Sequence, residues 1–315
     1  MQNEKHVPTP RRGRWRVKNY WQRSLLLLMF PTVHGDWATN FPSENSEPII
    51  ASAALPNAHA HNDYLHEKPL LDALSKGFTS VEADVHLVGG ELYLGHWMPQ
   101  MFPAKTLREF YLEPLHAILA RQNGKIYPAY EGVFYLMIDV KTDSLATYRA
   151  LREQLLNYPF FQCNPHFQVF ISGNRALHHI LNDEKEVAAA DGRLADLSKN
   201  LPSHAMPVVS DNFKKHFKWR GKGAMPAHEK NKLKSLAAEA HRQGKKLRFW
   251  AIPDHPNAWQ TLLEAGVDLI STDDLYLASN FLANRMELAK SEFNADSLPR
   301  AEMHPSAPLM TAKVR

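Results

Sequence analysis

Cysteine is almost absent from this chain of 315 residues, which contains only Cys163. A single thiol excludes an intramolecular disulfide framework. Long apolar runs are also lacking, because the run over residues 25–30 is too short to span a bilayer. The net positive charge comes from one end: residues 1–23 carry a net charge of +6 and the whole chain +4, so the remainder carries about −2. The body is therefore not expected to bind nucleic acid.

The basic residues at the start of the chain indicate a targeting segment. It precedes the apolar run over residues 25–30 and then small or polar residues, a pattern typical of a secretory signal peptide. We expect a signal peptide or basic leader over residues 1–38, and hence a secreted or periplasmic protein; a disordered basic tail is the other interpretation. The remaining organisation is predicted as a linker over 39–54, one domain over 55–290 and a disordered tail over 291–315.

Eight candidate strands alternate with helical segments along the predicted domain. They cover residues 55–60, 79–85, 133–141, 167–172, 186–190, 206–210, 247–252 and 268–272. This alternation predicts a (β/α)8 TIM barrel, in which functional residues lie at the carboxyl ends of the strands. Two details accompany it: residues 87–95 should form a hairpin around Gly89-Gly90, and the helix over 106–121 should be broken by Pro114.

Carboxylates end two of the predicted strands. Glu82 and Asp84 are two residues apart, so they should project from the same face of their strand. Asp139 ends the next strand and supplies a third acid, with Lys141 on the same face. Converging acids repel each other and lose hydration unless a cation lies between them. Oxygen ligands without cysteine favour a divalent cation, Mg²⁺ or Ca²⁺, over zinc.

Other polar residues should collect at the same end of the barrel. His61 follows the first strand, and the predicted hairpin returns His96 to that end. Further strands end near Asp211, Trp250 and Asp273. Histidines that titrate near neutral pH suit acid–base catalysis, and acids gathered at one place favour a functional site over isolated salt bridges.

A family resemblance rests on these residues. The chain resembles the superfamily of glycerophosphodiester phosphodiesterases and phosphatidylinositol phospholipase C-like enzymes, which also includes the sphingomyelinase D toxins. The HNDY sequence from His61, the RFW sequence from Arg248 and the GVDLISTDD sequence from Gly266 resemble most the altered-inheritance-of-mitochondria branch. The resemblance extends over residues 55–286, and it implies a phosphoric diester hydrolase with a phosphodiesterase-type barrel.

The resemblance also implies roles for single residues. Glu82, Asp84 and Asp139 match the metal ligands of the superfamily, and His61 and His96 match its catalytic pair. Lys141 matches a residue that assists at the phosphate. Asn62 stands where many relatives have arginine, so the grip on the phosphate should differ here. The expectation for Trp250 rests on its position and not on the resemblance: at the end of the seventh candidate strand, it should line the pocket against an apolar part of the substrate. We expect Asn62, Lys141 and Trp250 to bind substrate. His61 is expected to act as base or nucleophile and His96 as acid, although the sequence also permits the reverse.

Two other functions remain open at this stage. The sequence of residues 59–61 is also how amidohydrolase-type barrels with two zinc ions begin, but such sites need histidines after the middle strands. The fifth and sixth candidate strands end in AAADG and VVSDN, without histidine. A barrel that binds a phosphorylated ligand without cleaving it is the third possibility, and the presence of His61 and His96 disfavours it.

A basic segment follows the sixth candidate strand. Residues 213–223 contain lysines, an arginine and interleaved aromatic residues. They favour either a clamp for phosphate or an anionic lipid surface, or a solvated loop whose aromatic residues pack on the barrel rim. We therefore expect a small-molecule or lipid phosphodiester as partner, with possible peripheral membrane contact, and no segment indicates a protein partner.

Overall fold

The computed structural model of the chain describes residues 49–97 and 104–296. The predicted leader over residues 1–38 and the first part of the linker lie outside these residues, as do residues 297–315 of the predicted tail. No described helix is long and apolar enough to cross a membrane.

Nine strands of the described residues form a single sheet. They are β1 (Leu55–Ala60), β2 (Phe78–Val88), β3 (Glu91–Leu94), β4 (Phe134–Val140), β5 (Phe167–Gly173), β6 (Ala189–Ala190), β7 (Val208–Asn212), β8 (Lys246–Trp250) and β9 (Leu269–Thr272). All except β3 pair in parallel, in the order β6-β5-β4-β2-β1-β9-β8-β7. A parallel bridge between Gly192 and Val209 connects the two ends of this order. The sheet is thus a nearly closed barrel of eight parallel strands, which confirms the predicted fold class.

Helices lie between the strands and cover the outside of the barrel. They are α1 (Leu71–Ser75), α2 (Glu113–Arg121), α3 (Ser144–Leu155), α4 (Leu177–Leu181), α5 (Phe213–His216), α6 (Ala227–Arg242), α7 (Pro256–Glu264) and α8 (Leu275–Asp296). Short 3₁₀ segments occupy Asp63–Leu65, Pro159–Phe161 and Leu194–Lys199.

Three details of the sequence prediction need correction. The helix expected to break at Pro114 is continuous, because a π-helical turn over Arg108–Leu112 leads directly into α2, and Pro114 is the second residue of α2. The fifth predicted strand is reduced to the two residues of β6. The last helix continues to Asp296, so the first residues of the predicted tail are helical.

Strand alternation decides which side chains enter the barrel. Tyr135, Met137, Phe170, Ala189, Val208 and Leu269 form an apolar cluster in the interior. On β4 the alternation continues from Met137 to Asp139, which is in register with Asp84 of β2 and Ser172 of β5. Apolar side chains therefore fill the part of the barrel nearer the amino ends of the strands, while polar side chains occupy the carboxyl ends of the same strands.

The hairpin predicted after β2 is confirmed. Strand β3 pairs antiparallel with β2 from Val85↔Leu94 to Val88↔Glu91, and the turn uses Gly89 and Gly90 at positive φ. The N–H of Gly95 donates to the carbonyl of Asp84 at 3.1 Å. This return of the chain brings His96 beside the end of β2.

Candidate active site

Three carboxylates meet inside the barrel at the carboxyl ends of β2 and β4. One oxygen from each of Glu82, Asp84 and Asp139 lies within 4.8 Å of the others, and Glu82 and Asp84 are buried. Among the described residues, this is the one group of three or more acidic, histidine or cysteine side chains placed to hold a metal ion. The three acids predicted from the sequence are thus brought together.

The two oxygens of Asp84 have very different surroundings. Oδ2 accepts from the hydroxyl of Tyr64 at 2.9 Å and lies 2.8 Å from Nδ1 of His96 and 2.9 Å from Nζ of Lys141. Oδ1 is buried and has no hydrogen-bond partner among the described residues. A buried carboxylate oxygen without a partner is costly, and a bound cation would remove that cost. The donor set therefore fits a metal ion that prefers oxygen ligands.

Glu82 is held by two buried side chains, those of Arg248 and His59. Its Oε2 accepts from Nη2 of Arg248 at 2.6 Å and lies 3.2 Å from Nε2 of His59. Burial alone would raise the pKa of Glu82, but the charge of Arg248 and the hydrogen bond with His59 lower it overall. Burial and Arg248 lower the pKa of His59 to about 3, so this imidazole is neutral; it can donate to Glu82 while it accepts from Ser80 at 2.7 Å. The sequence had assigned Arg248 no role in the site.

Asp139 and Lys141 form the open side of the acidic group. Nζ of Lys141 lies 3.0 Å from Oδ1 of Asp139 and also contacts Asp84. Burial raises the pKa of Asp139 to about 6; Lys141 opposes this shift, and the charge of Glu82 adds to it. Gly173 leaves the space that this carboxylate occupies, because a Cβ there would overlap Oδ1 of Asp139 and the carbonyl of Val140.

His61 lies at the end of β1 and is anchored to the end of β9. Its Nδ1 is 2.8 Å from Oδ1 of Asp273, which also accepts from the amide of Asn62 at 3.2 Å. Burial lowers the pKa of His61, but the hydrogen bond with Asp273 and the charge of Glu82 outweigh it, so the pKa is raised. Asp273 is itself positioned by Asp254, which accepts from the Asp273 backbone N–H at 3.0 Å. Asn62 thus contacts the residues that hold His61; its predicted contact with substrate stays a prediction.

The two histidines are held in the same way. Each uses Nδ1 toward a carboxylate, Asp273 for His61 and Asp84 for His96. Neither Nε2 has a hydrogen-bond partner among the described residues, and the His96 side chain is half exposed. A carboxylate on Nδ1 fixes the ring orientation and leaves Nε2 available to exchange a proton.

Two other residues predicted at strand ends differ in placement. Ser210 of β7 faces the interior, so the adjacent Asp211 faces outward, where it lies 3.2 Å from Nε2 of His216. The expectation that Asp211 joins the site is therefore wrong. Trp250 does reach the mouth of the barrel, but the guanidinium of Arg193 lies over its ring, 5.1 Å from the centroid.

For the aromatic residues of the basic segment over residues 213–223, the structure matches the second interpretation, in which they pack on the barrel. Its aromatic side chains are buried: Phe213, Phe217 and Trp219. Its lysines are exposed: Lys214, Lys215, Lys218 and Lys222. The aromatic residues therefore belong to the core and are not available to a membrane interface, whereas a phosphate contact by the lysines stays a prediction.

A cavity of about 720 Å³ opens at the opposite end of the barrel. Tyr135, Gln168 and Lys246 near the amino ends of their strands contribute to its lining. None of the residues predicted for catalysis, metal binding or substrate binding lines it. Because the active sites of such barrels lie at the carboxyl ends of the strands, we place the site at the acidic group.

The chain is similar to several known proteins. The crystal structure of a glycerophosphodiester phosphodiesterase from Parabacteroides distasonis superposes with a TM-score of 0.47 at 13% identity, covering 74% of this chain and 99% of that one. Altered inheritance of mitochondria protein 6 of Eremothecium gossypii is 29% identical over 291 residues, which cover 76% of this chain and 75% of that protein. The homolog from Arthroderma benhamiae is also 29% identical, over 284 residues that cover 76% of this chain and 87% of the relative.

Two family descriptions match the chain directly. Residues 49–160 match the AIM6-like phosphodiesterase domain, and residues 246–276 match the glycerophosphoryl diester phosphodiesterase family. The first segment contains all three acids and both histidines, and the second contains Asp273, which anchors His61. Over these two segments the chain is therefore similar to the AIM6-like phosphodiesterase domain and to the glycerophosphoryl diester phosphodiesterase family.

Proposed function

We propose that this protein is a metal-dependent phosphoric diester hydrolase that acts on a glycerophosphodiester or phospholipid-like substrate. The observation that carries the proposal is the arrangement of His61 and His96. Both are oriented through Nδ1 by carboxylates, and both lie beside a buried acidic group suited to a cation. General acid–base catalysis needs two such groups, one to accept and one to donate a proton.

Glu82, Asp84 and Asp139 are the residues that would hold the metal ion. The unpaired Oδ1 of Asp84 and the all-oxygen donor set favour Mg²⁺ or Ca²⁺. When bound, the ion supplies positive charge against the phosphodiester oxygens and against the charge that develops in the transition state. Lys141 contributes a further cation on the open side of this group, where a phosphate oxygen would meet it.

The proton transfers fall to the two histidines. His61 accepts the proton of the attacking hydroxyl at Nε2 while the new bond from oxygen to phosphorus forms. His96 donates a proton from Nε2 to the leaving alkoxide oxygen as its bond to phosphorus breaks. The hydrogen bond with Asp273, which raises the pKa of His61, also favours proton acceptance at its Nε2. Attack by water would release a phosphomonoester, and attack by a neighbouring hydroxyl of the substrate would release a cyclic phosphate.

A phosphorus NMR screen tests the proposal. Glycerophosphodiesters and lysolipids would be incubated with the purified protein and Mg²⁺ or Ca²⁺, and the product signals would identify both the substrate class and the monoester or cyclic product. A His61→Ala, His96→Ala double variant is the control for contaminating activity. Binding without turnover would support the non-catalytic barrel, and two zinc ions per chain with amide hydrolysis would support an amidohydrolase.

A further inference from the structure

The half of the barrel mouth formed by β5 to β8 contains a second polar group that the proposed chemistry does not use. Asp191 is fully buried, and both of its carboxylate oxygens have hydrogen-bond donors. Oδ2 accepts from Ser172 at 2.7 Å and from Arg193 at 2.7 Å, and Oδ1 accepts from Ser210 at 2.7 Å. With both oxygens occupied, this carboxylate is not suited to bind a cation. Its effect is to fix Arg193.

Arg193 is held rigidly but keeps unused donors. Nη1 donates to Asp191 and, at 2.9 Å, to the carbonyl of Gly192, while Nη2 contacts the hydroxyl of Ser172 at 3.3 Å. The face of the guanidinium lies over Trp250. These contacts leave the side edge, formed by Nε–H and the second Nη2–H, without a partner among the described residues. A guanidinium edge with two parallel N–H groups is suited to bidentate recognition of a carboxylate or a phosphate.

The position of Arg193 relates it to the acidic group. Ser172, which Arg193 contacts, is in register with Asp139 on the neighbouring strand. Trp250, which it covers, lies on the same strand face as Arg248, and Arg248 contacts Glu82. Arg193 is therefore at the mouth of the same barrel end, on the side away from His61, and about a quarter of its side chain is exposed.

We propose that Arg193 is a specificity-determining residue that binds a second anionic group, a phosphomonoester or carboxylate, on the substituent beyond the scissile phosphodiester. The inference rests on the proposed function and names the substrate class for it. A cationic headgroup is disfavoured for two reasons. Arg193 repels it, and Arg193 also covers the Trp250 face that would otherwise attract a quaternary ammonium group.

Substrate preference is the test. The kcat/KM values would be measured for the wild type and Arg193→Gln with three substrates: glycerophosphoinositol 4-phosphate, glycerophosphoglycerol, whose headgroup is uncharged, and glycerophosphocholine, whose headgroup is cationic. We expect the wild type to prefer the first substrate and Arg193→Gln to lose about tenfold or more of that preference, through KM and not kcat. Arg242→Gln, which removes a charge paired with Glu239 on the outer surface, should leave the preference unchanged.

The opposite results would overturn the inference. An unchanged preference in Arg193→Gln, or an equal loss on all three substrates, means that Arg193 only neutralises Asp191. If Arg193→Gln does not fold, Arg193→Lys retains the charge beside Asp191 but lacks the bidentate edge, and its preference should fall while its melting temperature stays near that of the wild type.

The outcome can also be separated from failure of the proposed function. If the wild type cleaves none of the three compounds, calorimetric titration with glycerophosphoinositol 4-phosphate still decides. If the wild type binds this compound and Arg193→Gln binds it at least tenfold more weakly, the subsite is supported without catalysis. Equal binding, or none in either protein, overturns it.

Discussion

Nδ1 of His61 lies 2.8 Å from Oδ1 of Asp273, although 212 residues separate them in the chain. The contact exists because β1 and β9 are adjacent parallel strands that close the barrel, and the N–H of His61 donates to the carbonyl of Thr272 at 3.0 Å. The carboxylate stabilises the protonated imidazole and so raises the pKa of His61. The same contact sets the ring orientation on which proton transfer would depend.

Replacing Asp273 by Asn should therefore lower the pKa of His61. NMR titration of the His61 ring protons measures this directly, and Asp274→Asn is the matched control because Asp274 caps α8 and does not contact the ring. Because the folded pKa is raised, this pair stabilises the wild type fully below the unfolded pKa of about 6.5, and the contribution is lost as pH rises through the higher folded pKa. A His61 pKa that is unchanged in Asp273→Asn would show that the pair is not coupled.

Metal binding should depend on both Asp84 and pH. In Asp84→Asn the amide oxygen can still accept from Tyr64, His96 and Lys141, but an N–H₂ group replaces the unpaired Oδ1. We expect Mg²⁺ or Ca²⁺ affinity and activity to fall with little loss of stability, whereas Asp211→Asn, which changes an outward-facing acid, should retain both. Since the pKa of Asp139 is about 6 without metal, affinity in the wild type should also weaken as pH falls below that value.

Calorimetry at pH 5.5 and 7.5, together with activity assays in excess chelator, provides the measurement. Full activity in the chelator would contradict the metal-dependent mechanism. Equal metal affinity at the two pH values would show that Asp139 is not a ligand.

Removal of either histidine should affect turnover and not metal binding. His61→Ala and His96→Ala should each lower kcat by about a hundredfold or more, since each deletes one proton transfer. Neither residue belongs to the acidic group, so the metal affinity of both variants should stay close to that of the wild type. Steady-state kinetics beside calorimetric metal titration separates the two effects, and a near-normal rate in either variant removes that residue from the mechanism.

The contacts within one strand were the most predictable part of the site. Glu82 and Asp84 share a face because side chains alternate along β2, and Asp139 joins them because β4 is the parallel neighbour of β2. The hairpin that returns His96 followed from Gly89-Gly90 between apolar residues. In these cases a local sequence pattern predicts which side chains share a face, and the regular geometry of parallel strands predicts which of them meet.

The contacts across the barrel were not predictable in the same way. Arg248 reaches Glu82 over a separation of 166 residues, and only closure of the sheet brings them together. Asp191 and Arg193 were missed because β6 has two residues, too few to show a strand period. The sequence left two interpretations open for the aromatic residues near Trp219, and the packing that buries Trp219 decides between them.

Asp63 should make stability depend on pH. Burial raises its pKa to about 7, although Tyr111 and the N–H of Leu70 donate to its Oδ2, both at 2.6 Å. For an acid with a raised pKa, the unfolded chain ionises first, so stability falls as pH rises from about 4 to about 7. The limit is about 4 kcal/mol, from three pKa units at about 1.4 kcal/mol each.

Asp63→Asn should remove this pH dependence and still accept both hydrogen bonds. Denaturant unfolding of the wild type and Asp63→Asn across this pH range measures the difference between them, with Glu67→Gln as an exposed control. A constant difference between wild type and Asp63→Asn would mean that Asp63 is ionised throughout.

The last prediction concerns Gly173, whose absent side chain makes room for Asp139. Gly173 has φ of +66°, and a Cβ there would overlap Oδ1 of Asp139 and the carbonyl of Val140. Gly223 has a similar φ of +62° with nothing within 4 Å of the corresponding position. Gly223→Ala therefore measures the backbone cost alone, about 1 kcal/mol, and Gly173→Ala adds the steric conflict. We expect Gly173→Ala to be the less stable variant in denaturant unfolding and to bind metal more weakly, because the Asp139 carboxylate must move. Equal unfolding free energies and wild-type metal affinity in both variants would show that the position of Asp139 does not depend on this glycine.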